Sequence, residues 1–276
     1  MELSNIFSML GGLALFLYGM NMMSNGLELA AGNKMKTILE KLTSNRILGV
    51  LVGALVTAII QSSSATTVMV VGFVNSGLMS LTSAVWVIMG ANIGTTITGQ
   101  LIAIDITAIA PLIAFIGVAM IVFFKSKKLD AFGSVIGGLG ILFIGMETMS
   151  NAMVPLRTMP EFVGLISKFQ NPFIGILVGA LFTALIQSSS ASVGILQALA
   201  KSGVMTLSSS IYVLFGQNIG TCITSVLASI GTSKNAKRTT IIHLTFNIIG
   251  TVIFVSISML FPFAHLVESI TPNNVA

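Results

Sequence analysis

Charge is what this sequence has least of. Only 8% of its 276 residues are Asp, Glu, Lys or Arg, against about 25% in a soluble domain. Hydrophobic residues make up 54%, and mean hydropathy is +1.00. A solvated globular surface is excluded, and a polytopic membrane protein is indicated. Cysteine is nearly absent. Cys222 stands alone, which excludes an internal disulfide and any CxxC metal or redox site. The net charge of +5 makes no nucleic-acid surface, because the basic residues fall in short clusters between apolar runs. Such clusters report membrane orientation, and no nucleic-acid partner is expected. No basic n-region precedes the apolar run Ile6–Met23, so it reads as a first membrane helix rather than a cleaved leader.

Polar plugs interrupt the apolar runs. Gln61–Thr67 reads QSSSATT, and Gln187–Val193 reads QSSSASV. A polar cluster inside a membrane segment is costly unless it binds something. The plugs belong to a repeat. Gly11-Gly12-Leu13 recurs as Gly137-Gly138-Leu139, Gly19-Met20 as Gly145-Met146, and Asn92 as Asn218, always at an offset of 126. Across Leu51–Ile104 against Leu177–Ile230, 28 of 54 positions are identical. The domain reading is two transmembrane repeats, 1–130 and 131–276.

In chain order, Ile6–Met23 is long enough to span, and Leu27–Ser44 reads as an amphipathic surface segment. Ile47–Ile60 is apolar but only 14 residues long, too short for a core that needs about 20. Val68–Val74, after the plug, is shorter still, and Asn75-Ser76-Gly77 signals a turn. Two half-length helices around a polar tip predict a re-entrant hairpin over 47–75. Leu81–Ile104 spans, with a predicted break at Gly90–Thr96. Thr107–Phe124 spans and runs into Lys125-Ser126-Lys127-Lys128. The second half repeats the order: a span at Ala131–Met149, a connecting loop at Ser150–Asn171, and a hairpin over 172–202. A span follows at Leu207–Ile230, broken at Gly216–Thr221, then a span at Thr240–Leu260 and a polar tail at Phe261–Ala276.

Charge selects the topology. The basic clusters are Lys34–Arg46, Lys125–Lys128 and Lys234–Arg238. If each QSSS region is re-entrant, two crossings separate successive clusters and all three lie in the cytoplasm. If each QSSS region spans, the clusters must alternate sides. The positive-inside rule favours the hairpins. Each repeat then has three spanning helices plus one re-entrant helical hairpin, an odd number of crossings, and the second repeat is inverted. The expected fold is therefore an all-α polytopic membrane protein with two inverted-topology repeats and both hairpin tips near the midplane. Both termini fall outside on this count, and the end at Ala276 suggests a chain that continues in the full protein.

A half-helix that starts at a tip offers unpaired N–H groups and a positive dipole end to an anion. A half-helix that ends there offers carbonyls to a hard cation. The candidate binding residues are Gln61, Ser62, Ser63, Ser64 and Thr66 of the first plug and Gln187, Ser188, Ser189 and Ser190 of the second. Asn92, Thr95, Asn218 and Thr221 of the two breaks join them. Asp, Glu, Lys and Arg are missing from both plugs and both breaks. An anion held without arginine needs bound cations to balance its charge, which couples the two affinities. The plainer alternative is that Ser and Thr pack or cap within helices. That suits a lone serine better than a Gln and three serines repeated in register. His243 and Asn247, one turn apart, read as an interhelical pair rather than a proton relay. Glu147, opposite Asn21 in the repeat, reads as a residue near a helix end or facing a polar interior. The sixteen methionines read as packing.

With QSSSATT, QSSSASV, GANIGTT and GQNIGTC in place, the chain resembles the type II sodium/phosphate cotransporter family from Gly11 to about Ile270. The resemblance implies sodium-coupled transport of inorganic phosphate, with Gln61–Ser64 and Gln187–Ser190 in the phosphate and sodium sites and the NIGT segments contributing. It implies no enzyme activity and no cofactor beyond sodium as coupling ion. The expected partners are inorganic phosphate, Na+ and membrane lipid, with a homodimer as a candidate assembly. Many bacterial relatives continue into a further helix and a PhoU-like domain, whereas animal members carry a large loop between the repeats. The short Ser150–Asn171 suits a bacterial inner-membrane protein. The competing readings are a passive anion channel and a phosphate sensor. Paired-loop water channels carry Asn-Pro-Ala at their tips, and neither tip here has proline.

Overall fold

The structure is a computed structural model that describes residues 2–31, 38–39, 45–104, 106–124 and 126–270. The described elements are helical throughout, with no strand among them. The first half comprises α1 (Leu3–Ala31), α2 (Arg46–Ile60), α3 (Ser63–Asn75), α4 (Leu81–Gly94), α5 (Thr96–Ala103) and α6 (Ala110–Phe123). The second comprises α7 (Lys127–Met153), α8 (Pro160–Ser167), α9 (Pro172–Ile186), α10 (Ser189–Lys201), α11 (Leu207–Gly220), α12 (Ile223–Ala228), α13 (Lys234–Leu260) and α14 (Phe263–Ile270). Five stretches are long and apolar enough to cross a membrane: Leu3–Ala30, Leu81–Ala103, Lys127–Thr158, Leu207–Ala228 and Lys234–Leu260. The protein is an all-α, multi-pass membrane protein.

Several sequence expectations are revised. The sixth expected span is a shorter helix, Thr107–Phe123. The connecting loop expected at Ser150–Asn171 is mostly helical, because α7 runs to Met153 and short helices follow. Pro155 and Pro160 fall in helical first turns, where a missing N–H is harmless. A bend of 103° separates Pro160–Gln170 from Pro172–Ile186. The expected polar tail contains α14, and residues 271–276 lie outside the described part. Lys34, Lys36, Lys41 and Lys125, which carried part of the orientation argument, also lie outside the described residues.

Helices α1 and α7 are repeat mates, and they pack on each other through glycine. A Cβ added to Gly12 would lie 2.5 Å from the Met149 nitrogen and 2.8 Å from the Gly145 oxygen. One added to Gly138 would lie 2.5 Å from the Met23 nitrogen and 2.6 Å from the Gly19 oxygen. These two contacts map onto each other under the offset of 126, so the pairing is self-complementary. The register, Gly12 beside Gly145 and Gly26 beside Ala131, makes the helices antiparallel. Small residues allow this close approach, which replaces the hydrophobic driving force that lipid removes. Phe16, Met20, Leu142, Phe143, Met146 and Met149 fill the core on either side of the crossing, so these methionines do pack.

Helix α2 lies along α4, with Gly49 against Trp86 and Gly94 against Ala54 and Thr57. Both indices rise together, so the helices are parallel. The mates repeat the arrangement, with Gly175 against Tyr212 and Gly220 against Ala180 and Thr183. The glycines expected to break the spans therefore serve close packing instead. The interruption narrows to Thr95 in the first half and to Thr221 and Cys222 in the second, and all three keep right-handed helical dihedrals.

Two ties link the halves. Asn75 Oδ1, at the end of α3, accepts from Ser233 N at 2.8 Å beside the start of α13. Lys201 Nζ, at the end of α10, donates to the Thr107 hydroxyl at 2.7 Å beside the start of α6. Asn75 and Lys201 are mates, as are Ser233 and Thr107. The hairpins of the two halves pack differently. Helix α10 sits on the core, with Gly194 against the Phe16 ring and Ser150 Oγ donating to Ala198 O at 2.8 Å. The mate face of α3 is open: Val68 is exposed and Gly72 has free space around it.

Gly138→Ala should therefore destabilise the protein by about 1–3 kcal/mol, read as a lower thermal midpoint in detergent. Gly11→Ala, on the same kind of helix with nothing within 4 Å, should leave the midpoint unchanged.

Candidate functional site

Both plugs are chain reversals between two helices. Gln61 ends α2 at φ 58°, and Gln187 ends α9 at φ 59°, the only non-glycine residues at positive φ among those described. A left-handed residue closes a helix by turning its N–H back onto the last turn. Gln61 N donates to Thr57 O and Gln187 N to Thr183 O, both at 2.7 Å. Ser62 and Ser188 follow in extended conformation as N-caps, accepting from Ala65 N at 3.1 Å and Ala191 N at 3.2 Å. A buried hydroxyl pair locks each reversal: Thr57 to Thr66 at 2.9 Å, and Thr183 to Ser192 at 2.7 Å. These roles account for five of the residues singled out by sequence, Gln187 among them. Gln61, Ser62, Thr66, Gln187 and Ser188 build the tips whatever else they do.

A cavity of about 320 Å³ lies beside the second tip. Ser189 and Ser190 line it from α10, together with Asn92 and Thr95 at the end of α4 and Asn218 near the end of α11. Five sequence-predicted residues from three separate stretches thus meet in one place. Gln61, Ser62, Ser63, Ser64 and Thr66 do not line this cavity, nor do Gln187, Ser188 and Thr221. Thr221 is buried at the end of α11, and Gln187 is exposed.

Two glutamines that sequence reasoning passed over also line the cavity. Gln217 Nε2 donates to Ser192 O at 3.2 Å, and Gln197 Nε2 donates to Gly99 O at 3.1 Å. Both amide nitrogens are thereby fixed on backbone carbonyls. The Oε1 atoms of both glutamines, and Thr95 Oγ1, are buried without a partner. Such acceptors are costly in an apolar interior unless something donates to them or a cation sits on them. The available signal was each Gln inside an apolar run, but their mates are Ala91 and Val71, so the repeat comparison hid them.

The mates differ in exposure as well as identity. Gln61 is 4% exposed, whereas Gln187 is open. Thr96 is exposed and lines the cavity, whereas its mate Cys222 is 1% exposed. Gly99 lines the cavity, whereas its mate Ser225 is buried in a polar cluster. In that cluster Ser225 Oγ meets His243 Nδ1 at 3.1 Å, Asn247 Nδ2 donates to Cys222 Sγ at 3.1 Å, and Thr240 Oγ1 donates to Ser225 O at 3.1 Å. His243 and Asn247 are thus satisfied across the helix interface, as expected: His243 meets Ser225 of α12 and Asn247 meets Cys222 just before it. Glu147 is exposed toward the C-terminal end of α7.

A family profile described as Na+/Pi-cotransporter matches residues 15–151 and 158–268. "Uncharacterized protein YqeW" of Bacillus subtilis (strain 168) is 32% identical over 265 residues, covering 94% of this chain and 83% of that protein. "Putative inorganic phosphate export protein YjbB" of Escherichia coli (strain K12) is 28% identical over 260 residues. That match covers 94% of this chain but 47% of YjbB, so the chain spans about half the length of that relative. "Sodium-dependent phosphate transport protein 2A" of Rattus norvegicus is 41% identical over 98 residues, 35% of this chain and 15% of that protein. No solved structure matches the chain.

The left-handed tip gives a direct test of the reversal. Gln187→Gly should hold or raise the thermal midpoint, and Gln187→Val should lower stability by about 1–3 kcal/mol, both read by thermal unfolding in detergent.

Proposed function

The chain belongs to the Na+/Pi-cotransporter family, and on that premise we propose that it carries inorganic phosphate across the membrane with Na+, by alternating access around the two QSSS tips. The observation that carries this reading is the cavity beside Ser189 and Ser190, lined by neutral donors and orphaned acceptors. Membership of a transporter family agrees with the reading of the chain as non-enzymatic, and the protein lies in the membrane as a multi-pass chain related to bacterial inner-membrane proteins. The names of the YjbB and 2A relatives supply phosphate and sodium dependence for those proteins.

The chemistry divides along the acceptor and donor lines. Ser189 and Ser190 sit at the first turn of α10, where hydroxyls and the positive helix end suit phosphate oxygens. Gln197 Oε1 and Gln217 Oε1 can only accept, Thr95 Oγ1 can accept or donate, and neutral oxygens of this kind suit Na+. A cation held there offsets the charge of the anion beside it, so each raises the other's affinity.

We read the architecture as two inverted repeats, 1–130 and 131–276, each with a re-entrant hairpin. Three features support this. Mate helices α1 and α7 are antiparallel, as a two-fold axis lying in the membrane plane requires. The two hairpin bases are tied near opposite ends of the α4–α5 span, through Ser233 and Thr107. The exposed Lys234, Lys237 and Arg238 adjoin the first tie, which makes that end cytoplasmic by the positive-inside rule. The cavity then lies on the external half, and most mates of its lining residues, among them Ser63, Thr67, Thr221, Cys222 and Ser225, are buried on the internal half. Identical local folds with unequal exposure are what a one-sided state of an alternating transporter looks like.

Purified protein in liposomes should accumulate labelled phosphate when an inward Na+ gradient is imposed and should stop when Na+ is replaced by choline. Flux indifferent to the gradient would favour a channel, and binding with no flux would favour a sensor. Ser190→Ala should weaken phosphate binding by about 1.5–3 kcal/mol, the value of a hydrogen bond to a charged group, measured by equilibrium binding in Na+. Gln217→Leu should shift the Na+ dependence to higher concentration in the same assay.

A further inference from the structure

Helix α10 is bonded to α7 at a point where the two repeats can be compared atom for atom. Ala198 O accepts from Ser202 N of its own helix end at 2.9 Å and from Ser150 Oγ of α7 at 2.8 Å. The mates of Ala198 and Ser150 are Gly72 and Ser24. Gly72 O accepts from Ser76 N, also at 2.9 Å, and no second donor reaches it among the described residues. Ser24 stands half-buried on α1, and its hydroxyl makes no hydrogen bond among the described residues. The serine is present twice and used once.

The surfaces around the two serines match as well. On α10, Ala191, Gly194 and Ala198 are buried against a core that contains Phe16, Met146 and Met149. Their mates on α3 are open: Ala65 is half-buried, Val68 and Gly72 are exposed, and a Cβ added to Gly72 would meet nothing within 4 Å. The mates of Met146 and Met149 are Met20 and Met23, the same residue type in register on α1. Where the types differ, bulk is kept. The α10 contact sets Gly194 against the Phe16 ring, and the mate pair is Val68 with Leu142. A ring over a bare backbone and two branched chains of middle size fill similar space, the kind of exchange that packing tolerates. In the structure α2 packs on α1, and α3 lies along α13.

We infer that the first hairpin has a second seat, in which α2 gives way, α3 docks on α1 with Ser24 Oγ on Gly72 O and Val68 against Leu142, and α10 leaves α7. The Ser150–Ala198 bond latches the state described here, and Ser24–Gly72 latches its alternative. Neither serine lines the cavity, so the latches select which tip is open without touching what is carried. This inference rests on the alternating-access reading and names the contacts through which the exchange occurs.

The test is paired cysteines in a Cys222→Ser background, oxidised in proteoliposomes in which labelled phosphate flux is also followed. One pair is Ser24→Cys with Gly72→Cys, and the other is Ser150→Cys with Ala198→Cys. A disulfide needs Cβ atoms about 3.5–4.5 Å apart, so the 150–198 pair should close in the resting protein. The 24–72 pair should close at a rate that Na+ and phosphate change. Either bridge should stop flux, and reductant should restore it. A 24–72 pair that never closes while the same protein carries phosphate overturns the inference, and so does a 24–72 bridge that leaves flux untouched. Should the cysteine pairs fail to insert, single substitutions decide, read as labelling of the native Cys222 by a membrane-impermeant maleimide. Ser24→Ala should slow that labelling about three- to tenfold and Ser150→Ala should speed it by a similar factor. Effects of the same sign, or none, overturn the inference. A wild type that moves no phosphate overturns the transport reading itself, whereas normal flux without the 24–72 bridge overturns this inference alone.

Discussion

A chain that turns back between two apolar helices has to satisfy its own backbone at the turn. The rest of this molecule depends on how that is solved at Gln61 and Gln187. The left-handed residue returns its N–H to the preceding turn, and the next serine caps the helix that follows. The hydroxyl pairs Thr57–Thr66 and Thr183–Ser192 then hold each pair of half-helices together. Solved this way, the reversal leaves its remaining hydroxyls and helix ends uncommitted. It becomes affordable to place them beside the ends of α4 and α11, where Asn92 and Asn218 stand.

Close packing supplies the frame. Glycines on α4 and α11 let each first half-helix lie directly along its spanning helix, which sets the tip level with Gly94 or Gly220. Glycines on α1 and α7 let the two repeats meet face to face. On this frame the halves share local geometry but not state. Helix α10 is seated on Phe16, while the matching face of α3 is open. The second tip borders a cavity, while Gln61 and Cys222 are closed in. A pair of like units in unlike environments is what the proposed alternating-access reading requires.

Much of this was legible in the residues. The offset of 126, the half-length apolar runs and the polar tips predicted α2 and α9 to within a residue, whereas α3 and α10 begin inside the plugs, at Ser63 and Ser189, rather than after them. The role of the glycines in Gly90–Thr96 was not legible, because a glycine that breaks a helix and one that admits a neighbour look alike in sequence. Helices α8 and α14 were read as loop and tail because short amphipathic helices with proline or charge resemble both. The choice of the second tip over the first could not be read at all. The motifs are nearly the same, and the two tips differ in exposure. Gln197 and Gln217 escaped for the opposite reason: they break the repeat, and a search for matching pairs passes over them.

The central claim is that the closed internal half opens in turn, and the chain's single cysteine reports on it. Cys222 is 1% exposed, and its mate Thr96 lines the cavity. The measurement is modification of Cys222 in oriented membrane vesicles by a membrane-impermeant maleimide, applied from each side with and without Na+ and phosphate, with Cys222→Ser as the blank. The account predicts labelling from the side of Lys234–Arg238, at a rate that Na+ and phosphate change. Labelling absent from both sides during turnover, or confined to the side of Lys201, would contradict it.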